Sequence, residues 1–151
     1  MPLVMEGNDL KKILFVCTGN TCRSPMAAGI FNAYAKKHNI DATAYSAGIF
    51  VTDSIVNKNA IAVMEKAGID ISAHVPMQFS DLFIDEYDLI LTMSPSHRDY
   101  LISRGATSTK VYCLCEYVGE DGEVLDPYGG DEVLYAATAE NLKRLVEKIE
   151  L

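Results

Sequence analysis

Cys17 and Arg23 stand at the two ends of a five-residue arc, Thr18-Gly19-Asn20-Thr21-Cys22, and Ser24-Pro25 follow directly. A thiol and a guanidinium at this spacing can close on one anion. The arc is short enough to turn its backbone N–H groups inward as a nest, with Gly19 supplying the dihedrals of a tight turn. Arg23 offers a planar fork that matches two oxygens of a phosphoryl group, which a lysine could not reproduce. The same positive field favours Cys17 as a thiolate, the form that attacks at neutral pH. The chemistry these residues suit is transfer of a phosphoryl group to sulfur, giving a phosphocysteine intermediate. A hydroxyl at Ser24 can hydrogen-bond the Cys17 sulfur and ease its later departure.

The neighbouring pattern must present this arc. Ile13 to Val16 is an unbroken apolar run suited to a strand buried on both faces. After the arc, Ser24 is expected as N-cap and Pro25 as first helical residue, so the positive end of a helix over 25–38 points at the anion. Met26, Ala27, Ile30, Phe31 and Tyr34 recur at helical spacing and read as core. Residues 42–47 alternate as a second strand, and Ser46 at its end is a candidate hydrogen-bond donor to the arc. A helix over 57–67 follows, with Ile61, Met64 and Ala67 on one face, stopped by Gly68.

Downstream, 79–83 suggests a short helical turn and 87–92 a third strand. Ser94-Pro95 starts a helix to Arg104, whose His97, Arg98 and Asp99 read as a solvated face. Residues 110–114 supply a fourth strand, and 116–124 a polar excursion. The last segment, 131–150, reads as one amphipathic helix with Leu134, Ala137, Leu142, Leu145, Val146 and Ile149 inward. Strand and helix alternate throughout. That order predicts an α/β single domain, a four-stranded parallel sheet with helices on both faces and the site at the carboxyl ends of the strands.

Composition narrows the partners. The 151 residues carry 13 Lys plus Arg against 21 Asp plus Glu, a net charge of -8. Such a balance argues against a nucleic-acid surface and against anchoring on anionic lipid, so the anion site must be a local positive pocket. No apolar run is long enough for a membrane span, and the first ten residues lack a signal-peptide pattern, which leads to a cytoplasmic expectation. Residues 1–11 read as a flexible leader before a domain over 12–151. Cys113 and Cys115, one residue apart on a strand, would share one face as buried thiols. The four cysteines fit no standard zinc spacing.

Cys17 to Pro25 resembles the phosphate-binding loop of the low-molecular-weight protein tyrosine phosphatase family. Asp126-Pro127-Tyr128-Gly129-Gly130 resembles that family's general-acid loop, about as far downstream as the family places it. The resemblance implies catalysis by Cys17, Arg23 and Asp126, with Asp126 protonating the leaving group and then activating water. It implies phosphate binding by the loop from Thr18 through Gly19, Asn20, Thr21 and Cys22 to Arg23 and Ser24. It also places Ser46 and His74 as supports for Asn20. Tyr128, two residues after Asp126, is a candidate aromatic wall of the substrate pocket. No metal or other cofactor is needed. Cys22, so close to Cys17, suggests a reversible disulfide that spares the nucleophile from over-oxidation.

Thr21 occupies a position where many tyrosine-specific members carry a bulky aliphatic residue. Threonine there, with Glu116-Tyr117-Val118 and the single tyrosine after Pro127, resembles the bacterial branch that includes protein arginine phosphatases. The expected substrates are phosphorylated proteins, on arginine or tyrosine, acted on by a monomer or weak dimer. Two rivals remain: an arsenate reductase, which would need a relay of further cysteines near the loop, and a non-catalytic phosphate-binding module. A P-loop nucleotide hydrolase is disfavoured because the loop lacks a Gly-Lys-Ser/Thr ending.

Overall fold

Four consecutive apolar residues leave a strand no wet face, and Ile13 to Val16 are all inaccessible to solvent. They form the middle of β1 (Lys11–Cys17) in the computed structural model, which describes residues 10–151. Their side chains alternate between two cores. Ile13 and Phe15 pack on one face of the sheet, Leu14 and Val16 on the other. Complete burial of one such side chain contributes about 1.5–3 kcal/mol.

β1 lies between β2 (Ala42–Gly48) and β3 (Leu89–Thr92), and β4 (Val111–Cys113) extends the far edge, giving the order β2-β1-β3-β4. All three pairings are parallel. The chain leaves β1 toward β2 on one side and returns to β3 on the other, so the strand order reverses at the end of β1. The crevice beyond the carboxyl ends opens there, and the Cys17 loop occupies it.

Helices cover both faces, as the alternation predicts. On the Ile13 side sit α1 (Arg23–Lys37), α2 (Lys58–Lys66) and α6 (Glu132–Val146), with Phe31, Met64 and Leu142 buried in that core. On the Leu14 side, Phe79 and Tyr87 bracket the four-residue α3 (Phe83–Glu86), and Leu101 comes from α4 (Pro95–Ser103). Among the described residues, no helix is long and apolar enough to cross a membrane.

Several expectations shift. Lys11, assigned to the leader, is the first residue of β1 and donates its N–H to the Asp41 carbonyl at 3.1 Å, because parallel pairing with β2 already starts there. Of the rest of the leader, Leu10 is exposed and belongs to no regular element, and residues 1–9 lie outside the described residues. The helical turn comes four residues later than expected, at α3. Leu114 ends no strand: it opens a one-turn helix, α5 (Leu114–Tyr117), so Cys113 and Cys115 lie on different elements, both buried. In α2 the buried side chains are Ala60, Val63 and Met64, while Ala67 is exposed. Helix α6 faces the core through Tyr135, Thr138, Leu142, Leu145 and Val146, and Leu134 and Ala137 are exposed. Tyr135 and Thr138 continue the 3.6-residue period back from Leu142 better than Leu134 does, but their polar atoms hide it.

Candidate active site

The first helix begins two residues earlier than the Ser24-Pro25 pair suggests. Cys22, not Ser24, is the N-cap of α1, and no side chain caps it. Ser24 is instead fully buried behind the loop, its hydroxyl 2.9 Å from Cys17 Sγ. It does not line the cavity in front, which corrects its expected place among the phosphate-contacting residues. With the cap position left open, the N–H groups of Gly19, Thr21, Cys22 and Arg23 have no hydrogen-bond partner among the described residues. Unspent donors at a helix N-terminus form an anion site.

The left-handed residue of the loop is Asn20, with φ of 57°, rather than Gly19. Asparagine tolerates that region better than most side chains, and here its amide is fixed on every side. Nδ2 donates to Ser24 Oγ at 2.7 Å and to Ser46 Oγ at 2.9 Å. Oδ1 accepts from Met77 N–H at 2.8 Å and from His74 Nε2 at 2.9 Å. Since an amide oxygen only accepts, His74 carries its proton on Nε2, and burial lowers its pKa. Asn20 N–H in turn donates to Cys17 Sγ at 3.3 Å. Gly48 lets the second strand end press on the loop, since a Cβ there would stand 2.6 Å from the Thr18 carbonyl.

A cavity of about 240 Å³ opens in front of this loop. Cys17, Thr18, Gly19, Asn20, Thr21, Cys22 and Arg23 line it, and Asp126 and Tyr128 join them from a segment a hundred residues away. Arg23 is nearly fully buried; its Nη1 donates to the Val124 carbonyl at 3.0 Å, and its Nη2 lies 3.6 Å from Asp126 Oδ2. Asp126 is half-exposed and its Oδ1 accepts the Tyr128 N–H at 3.1 Å, which ties the carboxylate to its own turn. Positive φ at Gly129 completes that turn.

Cys22 also faces the cavity, but burial raises its pKa, and its sulfur lies 3.1 Å from the buried Tyr135 hydroxyl. All four cysteines are free thiols. Cys113 and Cys115 are buried away from the cavity, with pKa values raised by burial, and supply no exposed relay to the loop.

The pocket contains residues that motif reading passes over. Phe50, Thr52 and Asp53 line it from the segment after β2. The Ile49 and Phe50 N–H groups bond the Cys17 and Thr18 carbonyls at 3.0 and 2.9 Å, so this segment is tied to the loop. Its position beyond the carboxyl end of a strand next to β1 was the available signal.

His97 is the larger miss: far from solvated, it is 5% exposed, with Nε2 2.9 Å from Thr18 Oγ1. It stands three residues after the N-cap of α4, the end of that helix that points toward the site. Burial, reinforced by the Arg23 charge and opposed by Asp126, lowers its pKa from 6.5 to about 4.

That depressed value has a stability consequence. Between pH 6.5 and 4 the unfolded chain takes up a proton that native His97 refuses, so its contribution to stability falls as pH drops through this window and is constant below it. His97→Gln is expected to reduce the loss of unfolding free energy between pH 7 and pH 4.5 by about 2 kcal/mol. Urea melts at the two pH values measure it; equal losses in both proteins would contradict the assignment.

Sequence comparison agrees with this geometry. The model of the low molecular weight phosphotyrosine protein phosphatase family matches residues 12–150. The low molecular weight protein-tyrosine-phosphatase PtpB of Staphylococcus haemolyticus is 40% identical over 139 residues, 91% of this chain and 96% of that protein. The protein-arginine-phosphatase of Bacillus subtilis is 35% identical over 140 residues, covering 91% and 93%. Among solved structures, a cysteine-to-serine mutant of YwlE arginine phosphatase with a phosphorylated active-site serine superposes with a TM-score of 0.87 at 34% identity, covering 91% of each chain. With the Cys17 loop at the switch point of a parallel sheet and this similarity over nearly the whole length, the chain belongs to the low molecular weight phosphotyrosine protein phosphatase family.

Proposed function

We propose that this phosphatase removes phosphoryl groups from arginine side chains of proteins through a phosphocysteine on Cys17. The observation that carries the reading is the charge order of the cavity: one buried cation, Arg23, at its base, and two carboxylates, Asp53 and Asp126, among its outer lining. Phosphoarginine places a dianionic phosphoryl group beside a cationic guanidinium, matching that order, whereas a phosphotyrosine ring gains nothing from the acidic lining. Thr21 adds a small hydroxyl-bearing wall where a planar guanidinium must fit. The arginine-phosphatase relatives support the same choice.

In the first step the Cys17 thiolate attacks phosphorus as the P–N bond breaks, and Asp126 gives its proton to the departing nitrogen. Arg23 and the unpartnered N–H groups of the loop hold the equatorial oxygens. In the second step the Asp126 carboxylate takes a proton from water, the oxygen attacks phosphorus and the S–P bond breaks. The Ser24 hydroxyl and the Asn20 N–H stabilise the returning thiolate. The phosphorylated active-site serine of the YwlE mutant supports covalent transfer at the equivalent loop position.

A phosphotyrosine specificity is favoured by two strongly exposed aromatic side chains of the lining, Phe50 and Tyr128, and by the tyrosine-phosphatase relative. Aromatic faces accept a guanidinium equally well, so they do not discriminate. The test is kcat/KM on matched phosphoarginine and phosphotyrosine peptides. The native protein is expected to prefer phosphoarginine by about tenfold or more, Thr21→Ile to reverse that order, and Asp53→Asn to lower the phosphoarginine value about 2–5-fold. A native preference for phosphotyrosine would overturn the reading.

A further inference from the structure

The β3–α4 turn holds one imidazole in a fixed frame. Thr92 Oγ1 donates to the Ser94 carbonyl at 2.8 Å, and Ser94 Oγ caps α4 by accepting the His97 N–H at 3.3 Å. The same oxygen lies 2.9 Å from His97 Nδ1 and 2.9 Å from Ser96 Oγ. One edge of the ring is therefore clamped to its own helix. The other edge reaches across to Thr18 Oγ1, on the residue immediately after the nucleophile. The charged groups that act on the ring come from other elements, Arg23 on α1 and Asp126 on the segment before α6.

A neutral imidazole has one donor and one acceptor. In the tautomer protonated on Nε2, Ser94 Oγ–H donates to Nδ1 and the ring donates to Thr18 Oγ1, which leaves the Thr18 hydroxyl proton free to turn into the cavity that Thr18 lines. Thr18 is exposed there, so no packing fixes its rotamer, and the hydrogen bond from His97 does.

We propose that His97 is a positioning residue for phosphoryl transfer: protonated on Nε2 and bonded to Thr18 Oγ1, it holds the hydroxyl of the first residue of the phosphate loop facing the transferring group. The inference rests on the reading of 17–23 as a phosphate loop and adds a support from α4, separate from the Asn20, Ser46 and His74 network on the opposite side of the loop. The loop N–H groups and Arg23 still hold a ground-state anion without His97. What is lost is the alignment of one hydroxyl donor on the transition state, so the effect falls on kcat.

The experiment uses the full chain, with p-nitrophenyl phosphate as substrate and inorganic phosphate as inhibitor, each variant compared at equal folded fraction by circular dichroism. His97→Ala is expected to lower kcat about tenfold with KM and the phosphate inhibition constant changed less than about twofold. His97→Gln, whose side-chain amide nitrogen reaches the position of Nε2, is expected to recover at least about a third of native kcat. Thr18→Val should lower kcat by a similar factor, and adding His97→Ala to it should lower kcat no further, because both changes break one contact. Additive losses, an unchanged kcat in His97→Ala, or a Gln variant no better than Ala would overturn the proposal. Full turnover by Cys17→Ser would instead remove the loop reading on which it stands.

Discussion

Cys17→Ser is expected to lower kcat by about 10⁵-fold or more while inorganic phosphate still binds. The loop donors and Arg23 that grip the anion are untouched by the change, so isothermal titration with phosphate should give a dissociation constant within about threefold of native. What disappears is the nucleophile and leaving group in one atom. A serine hydroxyl needs a general base, and both imidazoles beside the loop are engaged elsewhere, His74 on Asn20 Oδ1 and His97 on Thr18 Oγ1. Ser24 Oγ, 2.9 Å from the position of the sulfur, is no base either. A phosphoryl group that did reach the new oxygen would leave it far less readily than it leaves a thiolate. Turnover within tenfold of native would show that Cys17 is not the attacking group.

Asp126→Asn is expected to lower kcat/KM, which reports the step in which the leaving group departs, by about 10²–10³-fold on a phosphoarginine peptide and by less than about tenfold on p-nitrophenyl phosphate. A guanidine nitrogen leaves only if protonated, whereas nitrophenolate leaves unaided. Asparagine keeps the turn, because its side-chain oxygen can still accept the Tyr128 N–H that Asp126 Oδ1 accepts at 3.1 Å. The lost ion pair with Arg23 is long, 3.6 Å, and half-exposed on the aspartate side, so it contributes little. The difference between the two substrates therefore isolates the proton. Equal losses on both would assign Asp126 to holding Arg23 rather than to acid catalysis.

Motif and topology were readable from residue order because they rest on local chemistry. The apolar run 13–16 forced a strand buried on both faces, and alternation of strands with helices forced parallel pairing, which puts the Cys17 loop at the switch point. Cys17, Thr21, Arg23, Asp126 and Tyr128 do meet in one cavity, as their types suggested.

Where the reading failed, a tertiary partner outweighed a local preference. Ser24 has every attribute of an N-cap, but Cys17 Sγ and the Asn20 amide claim its hydroxyl, and the helix starts uncapped. Gly19 is the freer residue, but four hydrogen bonds on the Asn20 side chain move the left-handed conformation one position on. His97 sits among charged neighbours on a short helix, and only the Thr18 hydroxyl, reached through the fold, explains its burial. In α6 the inward register passes through Tyr135 and Thr138, whose hydroxyl groups find partners in Cys22 Sγ and the Leu134 carbonyl. A polar atom satisfied in this way can be buried, and hydrophobic periodicity does not register it.

The most direct test of the central claim is chemical trapping. Asp126→Asn mixed with excess p-nitrophenyl phosphate should accumulate enzyme phosphorylated on Cys17 in the first milliseconds, because the good leaving group departs without an acid while hydrolysis lacks its base. Acid quench, digestion and mass spectrometry should then find one phosphoryl group on the peptide carrying Cys17, with a burst of nitrophenolate equal to the enzyme present. Nitrophenolate released without a burst, together with no phosphorylated Cys17 peptide at any time point, would mean that water attacks phosphorus directly and that the sulfur is only a ligand of the anion.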